Sequence, residues 1–350
     1  MPAIQFIRQA LPVVILATVL IASPGAADAQ EDVTSRRAAV VDVPLLERSR
    51  LFKNVPDEHT QEYFEALLAL HFRLGGSMQD SYDAASITKE SDWALLPTVS
   101  MLVNLRQVKA DSAPVRTPSY MPRLRLTVAR TARPRPLATT TQWVFDGTFG
   151  HYSNGQDGCP FEGQARDADR QCLFLAPSTD DELKANRADG SFSSHYLEWG
   201  AAYRWMTWSD APGASSRVPS SRIVSLYLRA RDYRTPSGIG GGMSEDLRRL
   251  YGSARLRLGA DAVFETDRTG FFRGPHWLGA WVEASNGHER VGKWRAAGEI
   301  GKTMDVMNGT GLFVRGYWGH DDYNIAFLQP IKVLQIGMTL GAERRPTFQR

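Results

Sequence analysis

The sequence predicts an all-β protein, a transmembrane antiparallel β-barrel of about 12 strands. Three observations lead to this prediction: an export signal at the N-terminus, short segments in which apolar and polar residues alternate, and tryptophans near the ends of those segments. Strands of a membrane barrel alternate between an apolar outer face and a polar inner face, and aromatic residues mark the two membrane interfaces. The candidate segments number eleven or twelve, and bacterial barrels close with an even number of strands, which favours twelve.

Residues 1–29 have the pattern of a secretory signal peptide. Arg8 supplies a positive start, residues 11–21 form an apolar stretch, and residues 27–29 offer small side chains for cleavage. The apolar stretch is shorter than the ~20 residues that a membrane-spanning helix needs. We therefore expect the mature chain to begin near Gln30.

Residues 30–91 are expected to form an N-terminal periplasmic segment that contains a candidate first strand. Within it, the apolar residues of segment 63–74 lie on one face of a strand, whereas its Glu-Ala-Leu-Leu-Ala-Leu composition favours a helix by propensity. We predict a strand there. At the other end of the chain, residues 344–350 are expected to form an extension beyond the last strand.

The charge balance and the two cysteines narrow the class of protein. The net charge is +3, from 41 basic and 38 acidic residues, whereas a dedicated nucleic-acid binder concentrates basic residues on one surface. We therefore expect no nucleic-acid partner.

Cys159 and Cys172 lie close together in a polar stretch, and in an exported protein such a pair is expected to form a disulfide rather than a metal site.

Residues 92–343 break into segments with a period of two, which we assign to the barrel. In segment 95–106, apolar residues take one set of alternate positions and polar residues the other. Segments 123–128, 224–230 and 254–260 repeat the pattern, with arginines recurring on the inward face. A soluble β-sandwich also alternates, but tryptophans at strand ends favour a barrel. These tryptophans are Trp143, Trp199, Trp205, Trp208, Trp277, Trp281, Trp294 and Trp318.

The segment WVFDGTFGHYSNGQDG, at residues 143–158, carries the chemically most informative pattern. Residues two apart on a strand share a face, so His151 and Ser153 point to the same apolar side as Trp143. Their spacing of about 6.6 Å along the strand allows an imidazole to lean towards a hydroxyl. A serine becomes a nucleophile when a neighbouring base takes its proton, and the backbone N–H of Gly155 could stabilise the resulting oxyanion.

The alternative is that His-Tyr-Ser-Asn-Gly only ends a strand in a tight turn. Asn-Gly is a strong turn signal, which explains Asn154 and Gly155. It does not explain a histidine and a serine on a face directed at lipid, where polar side chains are costly without a purpose.

The H-x-S-N-G motif at residues 151–155 resembles the active-site strand of the bacterial outer-membrane phospholipase A family. Upstream, the sequence of residues 112–116 followed by that of residues 120–122 is similar to the family's S-x-P-x-R and Y-x-P stretch. Downstream, segments 246–258, 316–324 and 333–340 fall in the family's order. The likeness covers about residues 92–340.

This resemblance implies a twelve-stranded barrel in the Gram-negative outer membrane that hydrolyses acyl esters of membrane phospholipids with calcium. It also implies a homodimer as the active form, with the site on the outer wall. The family's third catalytic residue is an asparagine that opens the next strand, and the matching position here holds His195. A neutral imidazole could accept the hydrogen bond from His151 as that amide does, whereas Glu198 falls on the inward face by parity. The alternative is that His195 is an interfacial side chain and that His151 works with Ser153 alone.

The resemblance also implies a calcium site. Gln156 stands where the family has an arginine, but that residue serves the ion through its backbone carbonyl. Ser191 matches a hydroxyl ligand, Ser112 lies near the third contribution, and Asp157 could add charge. Calcium accepts such neutral oxygen ligands, though weakly.

We therefore predict a phospholipase A that acts by a Ser-His mechanism with calcium. A second enzyme hypothesis is a lipid A deacylase, because those barrels carry an H-x-S-N motif, but they pair it with a glutamate and lack the upstream signature. A third hypothesis is a pore or structural barrel without catalysis.

Overall fold

The computed structural model shows a closed antiparallel barrel of twelve strands, which confirms the predicted fold class. It describes residues 37–39, 47–56, 63–74, 91–109, 115–132, 139–169, 171–180, 182–209, 220–233, 242–266, 274–288, 292–304, 310–321, 326–340 and 347–349. The predicted signal peptide and Ser112 lie outside the described residues.

The described residues form the twelve strands of the barrel and several short elements outside it. In chain order the elements are β1 (Arg37–Ala39), β2 (Ser49–Pro56), β3 (Tyr63–Arg73), β4 (Ser91–Val108), β5 (Ser119–Ala132), β6 (Thr139–Ser153), β7 (Gln164–Arg166), β8 (Cys172–Phe174), β9 (Ser193–Ser209), β10 (Ser220–Asp232), α1 (Glu245–Tyr251), β11 (Ala254–Thr266), β12 (Gly274–Ser285), β13 (Trp294–Met304), β14 (Thr310–His320), β15 (Pro330–Leu340) and β16 (Thr347–Gln349). Each barrel strand pairs with its neighbours in sequence, β6 pairs directly with β9, and β15 pairs with β2 to close the ring. The hairpin of β7 and β8 lies in the long connection between β6 and β9, and β1 pairs with β16.

The barrel begins at Ser49, so the predicted boundary at residue 92 is wrong. Strands β2 and β3 are both members of the closed ring, and the segment at residues 63–73 is the predicted strand. The alternation of β2 is hard to recognise because Lys53 points outward and Phe52 inward. The predicted C-terminal extension contributes β16, which pairs with β1.

The two faces of the barrel wall differ sharply in chemistry, as the alternation predicts. Apolar side chains cover the outer face, among them Leu124 and Leu126 on β5 and Leu256 and Leu258 on β11, each about half exposed. A closed barrel with an apolar outer band is the architecture of a bacterial outer-membrane protein. This chain is therefore an outer-membrane β-barrel.

Two of the tryptophans assigned to the membrane interfaces point into the barrel instead. Trp277 is buried inside and donates from Nε1 to Glu299 at 2.8 Å, and the Arg257 guanidinium lies 4.1 Å from the ring centroid of Trp281. Glycines lie directly opposite both rings on neighbouring strands, Gly301 for Trp277 and Gly259 for Trp281. The Trp277 indole fits inside because its ring covers Gly301 and Gly311, which have no side chain.

Ion pairs between arginines and carboxylates fill the barrel interior. Glu198 is almost fully buried and is approached by Arg231 at 2.5 Å and by Arg229 at 3.4 Å. Glu283 is likewise shared by several arginines from β11 and β13: Arg255, Arg257 and Arg295. Buried charges of this kind are tolerated only when they are paired and hydrogen-bonded.

A compact plug closes the barrel end at which β6 ends and β9 begins. Aromatic and aliphatic side chains from the long connection, from α1 and from residues 326–328 form one buried cluster there. Ser244 caps the N-terminus of α1, where its hydroxyl accepts the Leu247 N–H at 3.3 Å. Arg249 of α1 pairs with Asp180 of the long connection at 2.7 Å. No helix in the described part of the chain is long and apolar enough to cross a membrane. Long loops lie on the extracellular side of such barrels, so we assign the plug to that side.

Candidate active site

The strand register brings two histidines and two serines together at the extracellular end of the barrel wall. Strands β6 and β9 pair so that His151 lies opposite His195 and Ser153 lies opposite Ser193. All four side chains are half-buried. Because they alternate with buried, inward residues such as Tyr152, they share the outer, lipid-facing side of the wall.

The two imidazole rings are in direct contact. The Nδ1 atom of His151 lies 3.2 Å from the Nδ1 atom of His195, and the ring centroids are 4.6 Å apart. One of these nitrogens must donate a proton and the other must accept it, so the contact fixes the tautomers of the two rings as a pair. When His151 donates, its Nε2 atom carries no proton and can act as a base.

The histidine pair lies against apolar side chains. The ring of Phe149 stacks on that of His195 at a centroid distance of 6.0 Å and an interplanar angle of 9°. The outward residues that follow His195 on β9 are Leu197 and Trp199, both exposed on the outer wall. An apolar surrounding weakens competition from water and so strengthens the contact between the rings.

Ser153 is the last residue of β6, two positions after His151 and on the same face. Within the described residues, its hydroxyl forms no hydrogen bond with the His151 ring. The strand rise separates the two residues by about 6.6 Å, within reach of a rotated side chain. Catalytic hydrogen bonds are often long in free enzymes and shorten when substrate binds, so the present geometry is compatible with a base and its nucleophile.

Asn154 holds the turn that follows Ser153. Its side chain is 1% exposed, and its Oδ1 atom accepts the N–H of Phe192 at 2.9 Å and that of Gln156 at 3.3 Å. Its Nδ2 atom donates to the carbonyl of Gly190 at 2.7 Å. Asn154 and Gly155 therefore form the turn that their sequence indicates, and hydrogen bonds of Asn154 hold it to the segment that leads into β9.

Gly155 occupies the left-handed region of backbone space, with φ of 68°. Such a conformation favours glycine because a Cβ atom would be strained there. Among the described residues, its N–H donates to no acceptor. The amide is thus close to Ser153 along the chain and able to donate to a new negative charge.

The structure brings two of the three predicted calcium ligands into neighbouring segments. Asn154 links the turn that contains Gln156 to the segment that contains Ser191, and Ser191 N–H donates to the Gly158 carbonyl at 2.8 Å. Within the described residues, the Gln156 carbonyl and the Ser191 hydroxyl accept no hydrogen bond. These are neutral oxygens of the type that Ca²⁺ accepts, so this part of the site fits the ion.

The remaining residues proposed for the ion do not complete a charged site. Ser112 lies outside the described residues, and Asp157 is exposed on the turn. No group of three or more His, Cys, Asp or Glu side chains that could hold a metal ion occurs in the part of the chain that the structure describes. A calcium ion here would depend on backbone and hydroxyl oxygens.

Cys159 and Cys172 form a disulfide within the long connection. Cys159 follows the Asn154 turn closely, and Cys172 starts β8. The bond therefore ties the segment next to the candidate site to the β7–β8 hairpin.

Ser193 was missed by the sequence analysis, although the parity of β9 places it on the outer face with His195. Tyr120 was noted only as part of a motif, yet it pairs with Ser153 from the other neighbouring strand, β5. The signal for Ser193 was available as the Ser-x-His spacing at residues 193–195. The pairing of Ser193 with Ser153 could not be predicted, because the sequence does not reveal the register of β6 and β9 across the long connection.

No protein-family model matches this chain, and no curated protein sequence matches it. Solved structures do. Outer membrane phospholipase A from Escherichia coli is 11% identical, with a TM-score of 0.42, and the match covers 89% of this chain and 97% of that one. A dimer of outer membrane phospholipase with bound calcium from Salmonella typhi is 13% identical, with a TM-score of 0.40, covering 86% and 94%. The transport unit of the autotransporter AIDA-I from Escherichia coli is 6% identical, with a TM-score of 0.34, covering 86% and 93%. The chain is thus similar, at low identity, to solved structures of outer membrane phospholipase A.

Proposed function

We propose that this protein is an outer-membrane phospholipase A that hydrolyses acyl esters of glycerophospholipids. The observation that carries the proposal is the contact between His151 and His195 beside Ser153, on the lipid-facing wall. A polar cluster is costly on such a surface unless it has a function. A lipid in the outer leaflet reaches this wall by lateral diffusion, which makes a membrane lipid the substrate that the position favours.

In the proposed mechanism, His151 Nε2 takes the proton of the Ser153 hydroxyl as the oxygen attacks the ester carbonyl carbon. The Gly155 N–H donates to the oxyanion that forms. His151 then gives the proton to the departing glycerol oxygen, which leaves a lysophospholipid and an acyl-serine. Water then attacks the carbonyl carbon of the acyl-serine while His151 Nε2 takes a proton from it. The bond to the Ser153 oxygen breaks, His151 returns the proton to that oxygen, and the fatty acid leaves. His195 accepts from His151 Nδ1 and keeps the ring in the required tautomer.

We also propose that calcium supports this site, held by the Gln156 carbonyl and the hydroxyls of Ser191 and Ser112. A bound cation would supply positive charge near the developing oxyanion. The turn at Gly155 and Gln156 is where such a ligand would add order, because among the described residues the hydrogen bond from Gln156 N–H to Asn154 Oδ1 is the one that holds these two residues. The homodimer, with a second copy covering part of the outer wall beside His195, belongs to the same proposal.

Two other functions fit the described residues less well. A lipid A deacylase of the type considered above would need a glutamate beside the histidine, but Glu198 lies inside the barrel with Arg229 and Arg231. A pore would need a continuous lumen, whereas ion pairs and the extracellular plug occupy the interior around a cavity of about 380 Å³. The phospholipase proposal is therefore preferred.

The test is hydrolysis of defined phospholipids by refolded protein with calcium, compared with Ser153→Ala and His151→Ala. We expect each variant to lose at least about 100-fold in rate, because the nucleophile or its base is removed. Ser178→Ala, on an exposed loop, and His276→Ala, on the outer wall of β12, are the matched controls and should retain the rate. Equal rates in all five proteins would contradict the proposal, provided that heat-dependent gel mobility shows folded barrels.

A further inference from the structure

The outer wall at the candidate site carries two serine-histidine pairs. Strand β6 presents His151 and Ser153, and β9 presents Ser193 and His195, again two residues apart. Because the strands run antiparallel, the register sets histidine against histidine and serine against serine. Paired residues on such strands have Cβ atoms about 4.5–5.5 Å apart, so the two hydroxyls face one substrate position.

We infer that Ser193 and His195 form a second nucleophile and base, which can be acylated by the same esters when Ser153 is unable to react. The inference rests on the proposed function and extends it. Its basis is that each strand carries a serine two residues from a histidine on the same outer face, with the two serines paired at the same level of the wall.

The contact between the two rings makes the two bases mutually exclusive. With the shared proton on His151 Nδ1, His151 Nε2 is the free base beside Ser153, and His195 keeps its other proton on Nε2. With the shared proton on His195 Nδ1, His195 Nε2 carries no proton and lies on the same face of the wall as Ser193. The position of one proton therefore selects which serine is activated.

The alternative acylation step balances in the same way as the first. The Ser193 oxygen bonds to the ester carbonyl carbon, and His195 Nε2 takes the serine proton. The bond from that carbon to the glycerol oxygen then breaks, and the glycerol oxygen receives the proton. The products are an acyl ester on Ser193 and a lysophospholipid.

Backbone donors make Ser153 the faster of the two nucleophiles. The Gly155 N–H that follows Ser153 has no acceptor among the described residues. The amides that precede Ser193 are engaged, since Phe192 N–H donates to Asn154 Oδ1 at 2.9 Å and Ser191 N–H donates to the Gly158 carbonyl. Loss of one oxyanion donor costs about 10²–10³ in rate, so we expect reaction at Ser193 to be slower by that factor.

The experiment uses the full-length folded barrel in detergent, a fluorophosphonate probe with an alkyl chain, and mass spectrometry of the labelled peptides. The probe phosphonylates an activated serine and releases fluoride. We expect label on Ser153 in the unmodified protein, and on Ser193 in Ser153→Ala at a rate lower by about 10²–10³. Adding His195→Ala to that variant should remove the label, and exposed Ser178 should stay unlabelled throughout.

Two conservative variants test the proton selection directly. His195→Asn leaves one imidazole, His151, with an amide partner, so label should stay on Ser153. His151→Asn leaves only His195, so label should move to Ser193. Label on Ser153 in the unmodified protein, with none on Ser193 in either Ser153→Ala or His151→Asn, would overturn this inference and leave the proposed function standing. No label on either serine and no hydrolysis in the unmodified protein would show that both are wrong.

Discussion

The Oδ1 atom of Asn154 accepts the backbone N–H of Phe192 at 2.9 Å, which ties the turn after Ser153 to the residue that precedes β9. The Asn154 backbone N–H in turn donates to the Phe192 carbonyl at 3.1 Å. This reciprocal contact holds the start of the turn against the segment that leads into β9. The asparagine of the motif thus has a structural task that differs from the chemistry proposed for the residues beside it.

We expect Asn154→Ala to reduce hydrolysis by roughly tenfold or more, because unsatisfied buried amides cost about 1–3 kcal/mol and the Gly155 turn loosens. Asn154→Asp keeps the acceptor for Phe192 but loses the donor to the Gly190 carbonyl, so an intermediate rate is expected. The rate at saturating substrate is the measurement. Asn186→Ala is the matched control, since Asn186 also donates to backbone in the same loop, to the Cys159 carbonyl at 3.1 Å. An equal loss of hydrolysis in Asn154→Ala and Asn186→Ala would show that the effect comes from general disruption of the loop.

Removal of calcium should abolish hydrolysis reversibly. A chelator is expected to stop the reaction and added Ca²⁺ to restore it, because the oxygens assigned to the ion are neutral and bind it weakly. Ser191→Ala should raise the Ca²⁺ concentration for half-maximal rate by about tenfold, which corresponds to ~1.4 kcal/mol. Ser178→Ala is the control for this titration. Full activity in excess chelator would show that the calcium ligands have been assigned wrongly.

The part of the site that lies on one strand could be predicted from sequence. A period of two places His151 and Ser153 on one face without any knowledge of neighbours, and the burial pattern of β6 confirms this parity. The apolar outer faces of β4, β5, β10 and β11 follow from the same rule. Local alternation is sufficient there because the two sides of a barrel wall have opposite chemistry.

Features that depend on register across strands could not be predicted in this way. The opposition of Ser153 and Ser193 requires the pairing of β6 with β9 across the whole connection at residues 154–192. The inward position of Trp277 depends on Gly301, which lies on another strand. Strand β2 could not be recognised from its alternation, because Lys53 lies on the lipid-facing side, where apolar residues are expected.

The role of His195 is tested by its replacement with asparagine and with alanine. His195→Asn should retain most of the hydrolysis, since an amide oxygen can still accept from His151 Nδ1. His195→Ala should slow the reaction by roughly a hundredfold, because a misplaced base costs that order of rate. Both variants should migrate as folded barrels, since the side chain lies on the outer wall.

The dependence of rate on pH separates a partner histidine from a bystander. Protonating either ring of the pair leaves a proton on both Nε2 atoms, so hydrolysis should fall as the solution becomes acidic. In His195→Asn only one ring titrates, and the fall should be less steep. A pH profile of His195→Ala that matches the unmodified protein in both rate and slope would reduce the site to Ser153 and His151.

Glu198 offers the sharpest distinction between a structural carboxylate and a catalytic one. Its side chain is 3% exposed and lies near three arginines, with Arg231 at 2.5 Å, Arg229 at 3.4 Å and Arg125 at 4.0 Å. Glu198→Gln leaves these guanidinium groups without their shared counter-charge. Breaking a buried ion pair by removing one partner costs about 3–5 kcal/mol, so we expect the barrel to unfold at a clearly lower temperature. The temperature at which the folded band disappears on a gel measures this effect, with Glu162→Gln on the exposed loop as the control.

Hydrolysis at low temperature, where the variant barrel remains folded, should stay close to that of the unmodified protein because Glu198 faces away from His151. Loss of hydrolysis in a barrel of unchanged stability would instead make Glu198 part of the active site and would favour the deacylase hypothesis.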